Sequence, residues 1–172
     1  MLERVRGTDA AIPEEAPRLL RRILVVAAIA TAVGASSADA TTPLTKTQYN
    51  AMLKRASARV GKVESAAEMG LSSNATPARV RTLILTWANT ETQLGRSFRA
   101  IQPPATAASW NALLARGEIT FGAELAHAAN NLPRKRAAIG AYLQRTLGNA
   151  KGAAMIDHAL KKLKVAGYGA SG

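Results

Sequence analysis

Cysteine is absent from these 172 residues. That removes disulfides, thiolate metal sites, cysteine nucleophiles and lipid-modified cysteines from consideration. It leaves the compartment open, because a cysteine-free chain suits either redox environment. Aromatic residues are scarce as well, with two Trp, three Tyr and two Phe. Such a core is thin per residue, so stability must lean on helix propensity and on close approach of helices. Signatures of catalysis are also missing: the chain holds no G-x-S-x-G, no H-E-x-x-H and no glycine-rich phosphate loop. A non-enzyme without a cofactor is the expectation.

Acids are the third shortage. The chain has 23 Lys+Arg against 11 Asp+Glu, a net charge of +12. Residues 1–40 carry five of each sign, so residues 41–172 hold eighteen bases and six acids. The whole excess sits on that later part. A field of this sign favours anionic partners: an acidic polymer, lipid head groups or nucleic acid.

The longest apolar run lies in Arg21 to Ala40, RRILVVAAIATAVGASSADA. A basic flank (Arg18, Arg21, Arg22) precedes an uncharged core from Ile23 to Val33. Ala38-x-Ala40 follows, a small-x-small pattern that places a scissile bond before Thr41. Together these read as a secretory signal peptide, and the expected location is secreted or associated with the cell envelope. A retained transmembrane helix needs about 20 apolar residues, more than this run offers. A buried helix of a cytosolic fold is a further alternative, although the run is apolar all round rather than amphipathic. Arg21-Arg22 resembles part of a twin-arginine signal but lacks the flanking hydroxyl and aromatic residues, which favours the general secretory route. The seventeen residues before Arg18 are long and acidic for a leading region, so the true start is either downstream or an extended leader.

After this leader (1–40), residues 41–45 read as a linker and 46–164 as one helical domain. Thr45 and Gln48 fit a capping box. Tyr49, Met52, Leu53, Ala56, Val60, Val63 and Ala67 then recur at helical spacing to about Met69, with Gly70 as the stop. Thr76-Pro77 opens a second helix whose face carries Val80, Leu83, Ile84, Trp87, Leu94, Phe98 and Ile101. A third, from near Thr106 or Ser109, carries Trp110, Leu113, Leu114, Gly117, Phe121, Leu125, Ala128 and Leu132. The last segment shows two apolar stripes out of phase, which predicts a break near Gly148-Asn149. Residues 165–172 read as a disordered tail. No stretch reads as a strand. The expected fold is all-α: an up-and-down antiparallel bundle of three long helices plus a fourth that is broken.

Three basic clusters are the candidate anion-binding residues: Lys54, Arg55, Arg59 and Lys62; Arg134, Lys135 and Arg136; Lys161, Lys162 and Lys164. Each alone also fits an ordinary solvated face. Stacking aromatics are not interleaved with them, because Trp87, Phe98, Trp110 and Phe121 fall on core faces, so stacking recognition of single strands is unsupported. Glu124-x-x-His127 has the spacing of a metal-binding helical pair. With Glu91 it makes a candidate metal set, against the alternative of a partly buried carboxylate with a local partner. Glu91 interrupts an apolar face and needs a cation or donors; Arg or Lys from a neighbouring helix is the expected partner. Asp157 and Lys161 read as a solvated i,i+4 ion pair.

Leu44-Thr-Lys-Thr-Gln-Tyr49, Ile101-Gln-Pro-Pro-Ala105 and Trp110-Asn-Ala-Leu-Leu114 give residues 44–132 a resemblance to small exported helical proteins of unknown function from actinobacteria. The resemblance implies export and an all-α fold and carries no catalytic residues. Many such proteins look like lipoproteins, and this chain has no cysteine to match. The reading is therefore an exported, non-enzymatic basic helical protein that binds anionic envelope or extracellular material. A cytoplasmic nucleic-acid-binding protein and a metal-binding bundle are the alternatives.

Overall fold

The computed structural model describes residues 42–169. The leader, the Ala38-x-Ala40 pattern and the last three residues lie outside the described residues. Those described are all-helical, without strands. Five α-helices follow in order: α1 (Lys46–Ser72), α2 (Pro77–Ala100), α3 (Ala108–Asn130), α4 (Ile139–Leu147) and α5 (Lys151–Val165). Single 3-10 turns lead into α3 at Ala105–Ala107 and into α4 at Arg136–Ala138.

The starts of the first two helices follow from local chemistry. Gln48 N–H donates to Thr45 Oγ1 at 3.2 Å, and Thr45 N–H donates to Gln48 Oε1 at 2.9 Å. This reciprocal box satisfies two amides that no helical carbonyl reaches. At α2, Thr76 Oγ1 accepts from Arg79 N–H and Pro77 takes the first position, where its missing N–H costs nothing.

Helix directions are fixed by matched positions. Leu44 pairs with Gln102 by a backbone hydrogen bond, Arg59 with Gln93 by side chains, and Gly70 lies against Leu83. These put α1 and α2 antiparallel. Between α2 and α3, a Cβ on Gly95 would stand 2.7 Å from Ala115 O, and one on Gly122 would stand 2.7 Å from Ala88 O. The two backbones touch because only glycine leaves room, and α2–α3 is the most extensive helix contact. Gly117 against Ile156 and Gly152 against Phe121 do the same between α3 and α5. Closeness of helices thus replaces bulk in a chain poor in aromatics.

Three expectations need correction. Gly70 does not stop α1, which continues to Ser72; Gly70 is buried inside the helix, where Leu83 of α2 occupies the space of a side chain. Trp110 is half-buried rather than in the core, with the His158 ring edge-on at 5.9 Å and the Lys162 ammonium over its face at 5.8 Å. The tail is structured through Gly169. Gly167 takes φ of +77°, and Tyr168 N–H donates to Leu163 O while Gly167 N–H donates to Lys164 O. This double return, a Schellman motif, turns Tyr168 inward. Tyr168 is buried edge-on against Tyr49, so the end of α5 is fastened to the start of α1. Burial raises the Tyr49 hydroxyl far above its ordinary pKa, and that hydroxyl donates to Asn111 Oδ1 at 3.0 Å.

Candidate functional site: buried acids and exposed bases

Six acids and eighteen bases fall among the described residues. Sixteen of the bases are exposed, whereas Asp157 is the only exposed acid among the described residues. Asp157 pairs with Lys161 at 2.7 Å, the expected i,i+4 contact and the sole ion pair among the described residues. The surface is therefore more positive than the overall charge suggests.

Three of the missing acids are inside. Glu64 of α1, Glu91 of α2 and Glu118 of α3 are 3 %, 2 % and 6 % exposed. Each replaces an apolar residue on its helix's inward face. Glu64 follows Val60 by four, Glu91 follows Trp87 by four, and Glu118 follows Leu114 by four. Antiparallel packing brings them to one level. Glu91 is the shared neighbour: its carboxyl group acts on both Glu118 and Glu64. Glu91 Oε1 accepts from Trp87 Nε1 at 2.6 Å. Glu64 Oε1, Glu91 Oε2 and Glu118 Oε2 have no hydrogen-bond partner among the described residues.

The electrostatics follow from that enclosure. Burial is the largest influence on Glu64, with Glu68 and then Glu91 adding repulsion, and together they raise its pKa to about 7. Burial likewise raises Glu118 well above the ordinary carboxylate range, and the neighbouring Glu91 carboxyl raises it further. The cation expected for Glu91 is not what it meets. Its neighbours are an indole N–H and two more carboxyl groups.

The proposed metal set does not assemble. Glu124 accepts from Lys151 N–H at 3.0 Å and from Gly152 N–H at 3.1 Å. It caps α5, whose own N-cap, Ala150, offers no side-chain acceptor. His127 is exposed on α3 and Glu91 is committed to Trp87. Among the described residues, no three of His, Asp and Glu are placed to hold a metal ion.

The anion-binding candidates divide. Arg136 is not available: its guanidinium donates to the carbonyls of Gly70, Leu71, Ser73 and Ala75. It closes the C-terminal end of α1, where four carbonyls lack helical partners and the dipole is negative. Lys161 is paired with Asp157, and Lys162 lies over Trp110. Arg134, Lys135 and Lys164 are exposed, and Lys54 is half-buried. Arg55, Arg59 and Lys62 line one flank of α1, and the Arg59–Gln93 hydrogen bond sets that flank against α2. One turn beyond Gln93 stands Arg96, which sequence reading passed over and which antiparallel packing places at the level of Arg55. The α1–α2 seam therefore carries exposed bases from both helices.

Glu64 and Glu118 were also passed over. Their signal was available: both lie on apolar stripes, and Glu64, Glu91 and Glu118 are spaced 27 residues apart. Among the described residues, no helix is long and apolar enough to cross a membrane. Searches of protein families, curated proteins and solved structures find no match to this chain.

Proposed function

We propose that this chain is an exported, non-enzymatic helical protein that holds anionic polymers or anionic surfaces of the cell envelope against its exposed bases. The observation that carries this reading is the separation of charge: among the described residues, sixteen exposed bases stand against one exposed acid, while three carboxyl groups are buried. Bases without carboxylate partners keep their full attraction for an external polyanion. The seam of Arg55, Arg59, Lys62 and Arg96 is the leading contact surface, because there two helices contribute exposed bases to one face. In architecture we read the chain as an up-and-down bundle, α1, α2 and α3 followed by the α4–α5 pair. The antiparallel matches of Gly95, Gly117 and Gly152 support that reading. Export rests on the basic flank, apolar core and Ala38-x-Ala40 of the leader.

Two measurements test these parts separately. Mass spectrometry of the secreted fraction should find a mature chain beginning at Thr41; an intact chain confined to the cytosol contradicts export. Co-sedimentation with anionic vesicles and retention on immobilised polyphosphate should both occur, and neutral vesicles should leave the protein in solution. Equal behaviour towards neutral and anionic surfaces contradicts the binding reading. Selective retention by nucleic acid alone would move the protein to a different class of partner.

A further inference from the structure

The three buried carboxyl groups have no part in polyanion binding, and the cost of burying them demands an account. Three ionised carboxylates cannot share one apolar layer without cations. None is supplied. On α1, Lys62 is exposed, Arg59 is turned to Gln93, and the nearer titratable group is Glu68, another acid. On α2, Arg96 is exposed; on α3, Arg116 is exposed. At this level of α3, α5 presents Met155 and Ile156 to Gly117, and its Asp157 and His158 are exposed. Helix α4 offers a half-buried Tyr142 and an exposed Arg145. None of these bases forms an ion pair with the row.

Protons are the charge carriers that remain. A proton shared between Glu118 and Glu91 gives both groups the donor they lack, and a second on Glu64 neutralises the α1 end. Trp87 N–H and the Glu118 proton are then both directed at the Glu91 carboxyl group. We infer that Glu64, Glu91 and Glu118 form a proton-held clasp, which keeps α1 packed on the α2–α3 pair through α2 and releases α1 as its protons leave. Helix α1 is the element to move, because α2 and α3 are locked backbone to backbone at Gly95 and Gly122.

The direction of the pH effect follows from the geometry. A group whose pKa is raised by folding stabilises the fold fully below its unfolded value, and that stability is lost as pH rises through the folded value. For Glu64 the window runs from the ordinary glutamate range up to about 7, and Glu118 continues it upward. The surface acts in the opposite sense: raising the pH lowers the net positive charge and relieves its self-repulsion. A fall in stability on going alkaline therefore reports the clasp and not the exterior.

The test is thermal unfolding of the full chain at fixed ionic strength between pH 5 and pH 8.5, with Glu64→Gln and Glu118→Gln beside the wild type. Wild-type Tm should fall by at least about 5 °C across that range. Both variants should exceed wild type at pH 8.5 and show a shallower slope, because Gln keeps the shape and removes the charge. Hydrogen exchange, corrected for intrinsic pH dependence, should rise more in α1 than in α2 or α3. Infrared spectra of the wild type supply a readout independent of variant folding: a protonated-carboxyl band should be present at pH 6 and weaken as the pH rises. A Tm that is flat or rises with pH overturns the proposal, as does an unchanged slope in both variants or an absent band. Recovery of the acid-pH Tm at pH 8.5 on adding Ca2+, Mn2+ or Zn2+ would also overturn it, by making the row a cation site.

Discussion

Trp87 and Glu91 lie one turn apart on α2, and the indole N–H donates to the carboxyl group at 2.6 Å in the interior. The pair satisfies two buried polar groups at once. The Trp87 ring also packs edge-on against Phe121 of α3 at 5.6 Å, so the donor is held by packing and not by the hydrogen bond alone.

Replacing Trp87 with Phe keeps most of that packing and removes the donor. Glu91 Oε1 then joins the oxygens without partners. Stability should drop by about 2 kcal/mol at pH 7, measured by urea unfolding. A loss near zero would mean that water reaches Glu91 and that the row is not enclosed.

Arg136 binds the end of α1 across more than sixty residues of sequence. Arg136→Ala leaves several carbonyls of the 70–75 segment without a donor and should cost about 2 kcal/mol. Arg136→Lys should rescue little, because a single ammonium cannot span carbonyls that a planar fork reaches together. Urea unfolding of both variants checks this. Full rescue by lysine would assign the effect to charge near the helix end rather than to geometry.

Two glycines separate packing from propensity. Gly152 faces the backbone of Phe121, and an added Cβ has no space there. Gly152→Ala should destabilise by about 1–3 kcal/mol through overpacking. Gly61, inside α1, has nothing within 4 Å of the same added atom. Gly61→Ala should stabilise by about 0.5–1 kcal/mol through helix propensity. Thermal unfolding of the two variants should show opposite signs, and equal signs would contradict the close α3–α5 contact.

The helices were legible because their signals are local. Thr45 with Gln48, Thr76 with Pro77, and the change of phase near Gly148 are each carried within a few residues. Glu91 was legible as an interruption of an apolar stripe. Its partners were not, since Glu64 and Glu118 lie 27 residues away on either side and meet it only through packing. Arg136 looked like one base among three, because capping a distant helix leaves no periodic trace. Tyr168 was hidden by the small residues around it. Gly167, which suggested disorder, supplies the positive φ that turns the tyrosine into the core.

Anion binding rests on the outward-facing bases of the α1–α2 seam, which have no carboxylate partners among the described residues. Its most direct test is the affinity for a polyphosphate of defined length, measured from low to moderate salt in wild type and in an Arg55→Ala, Arg59→Ala, Arg96→Ala triple variant. Log affinity should fall linearly with log salt, and the triple variant should lose about two to three units of that slope. A flat wild-type response, or a variant indistinguishable from it, would contradict the account.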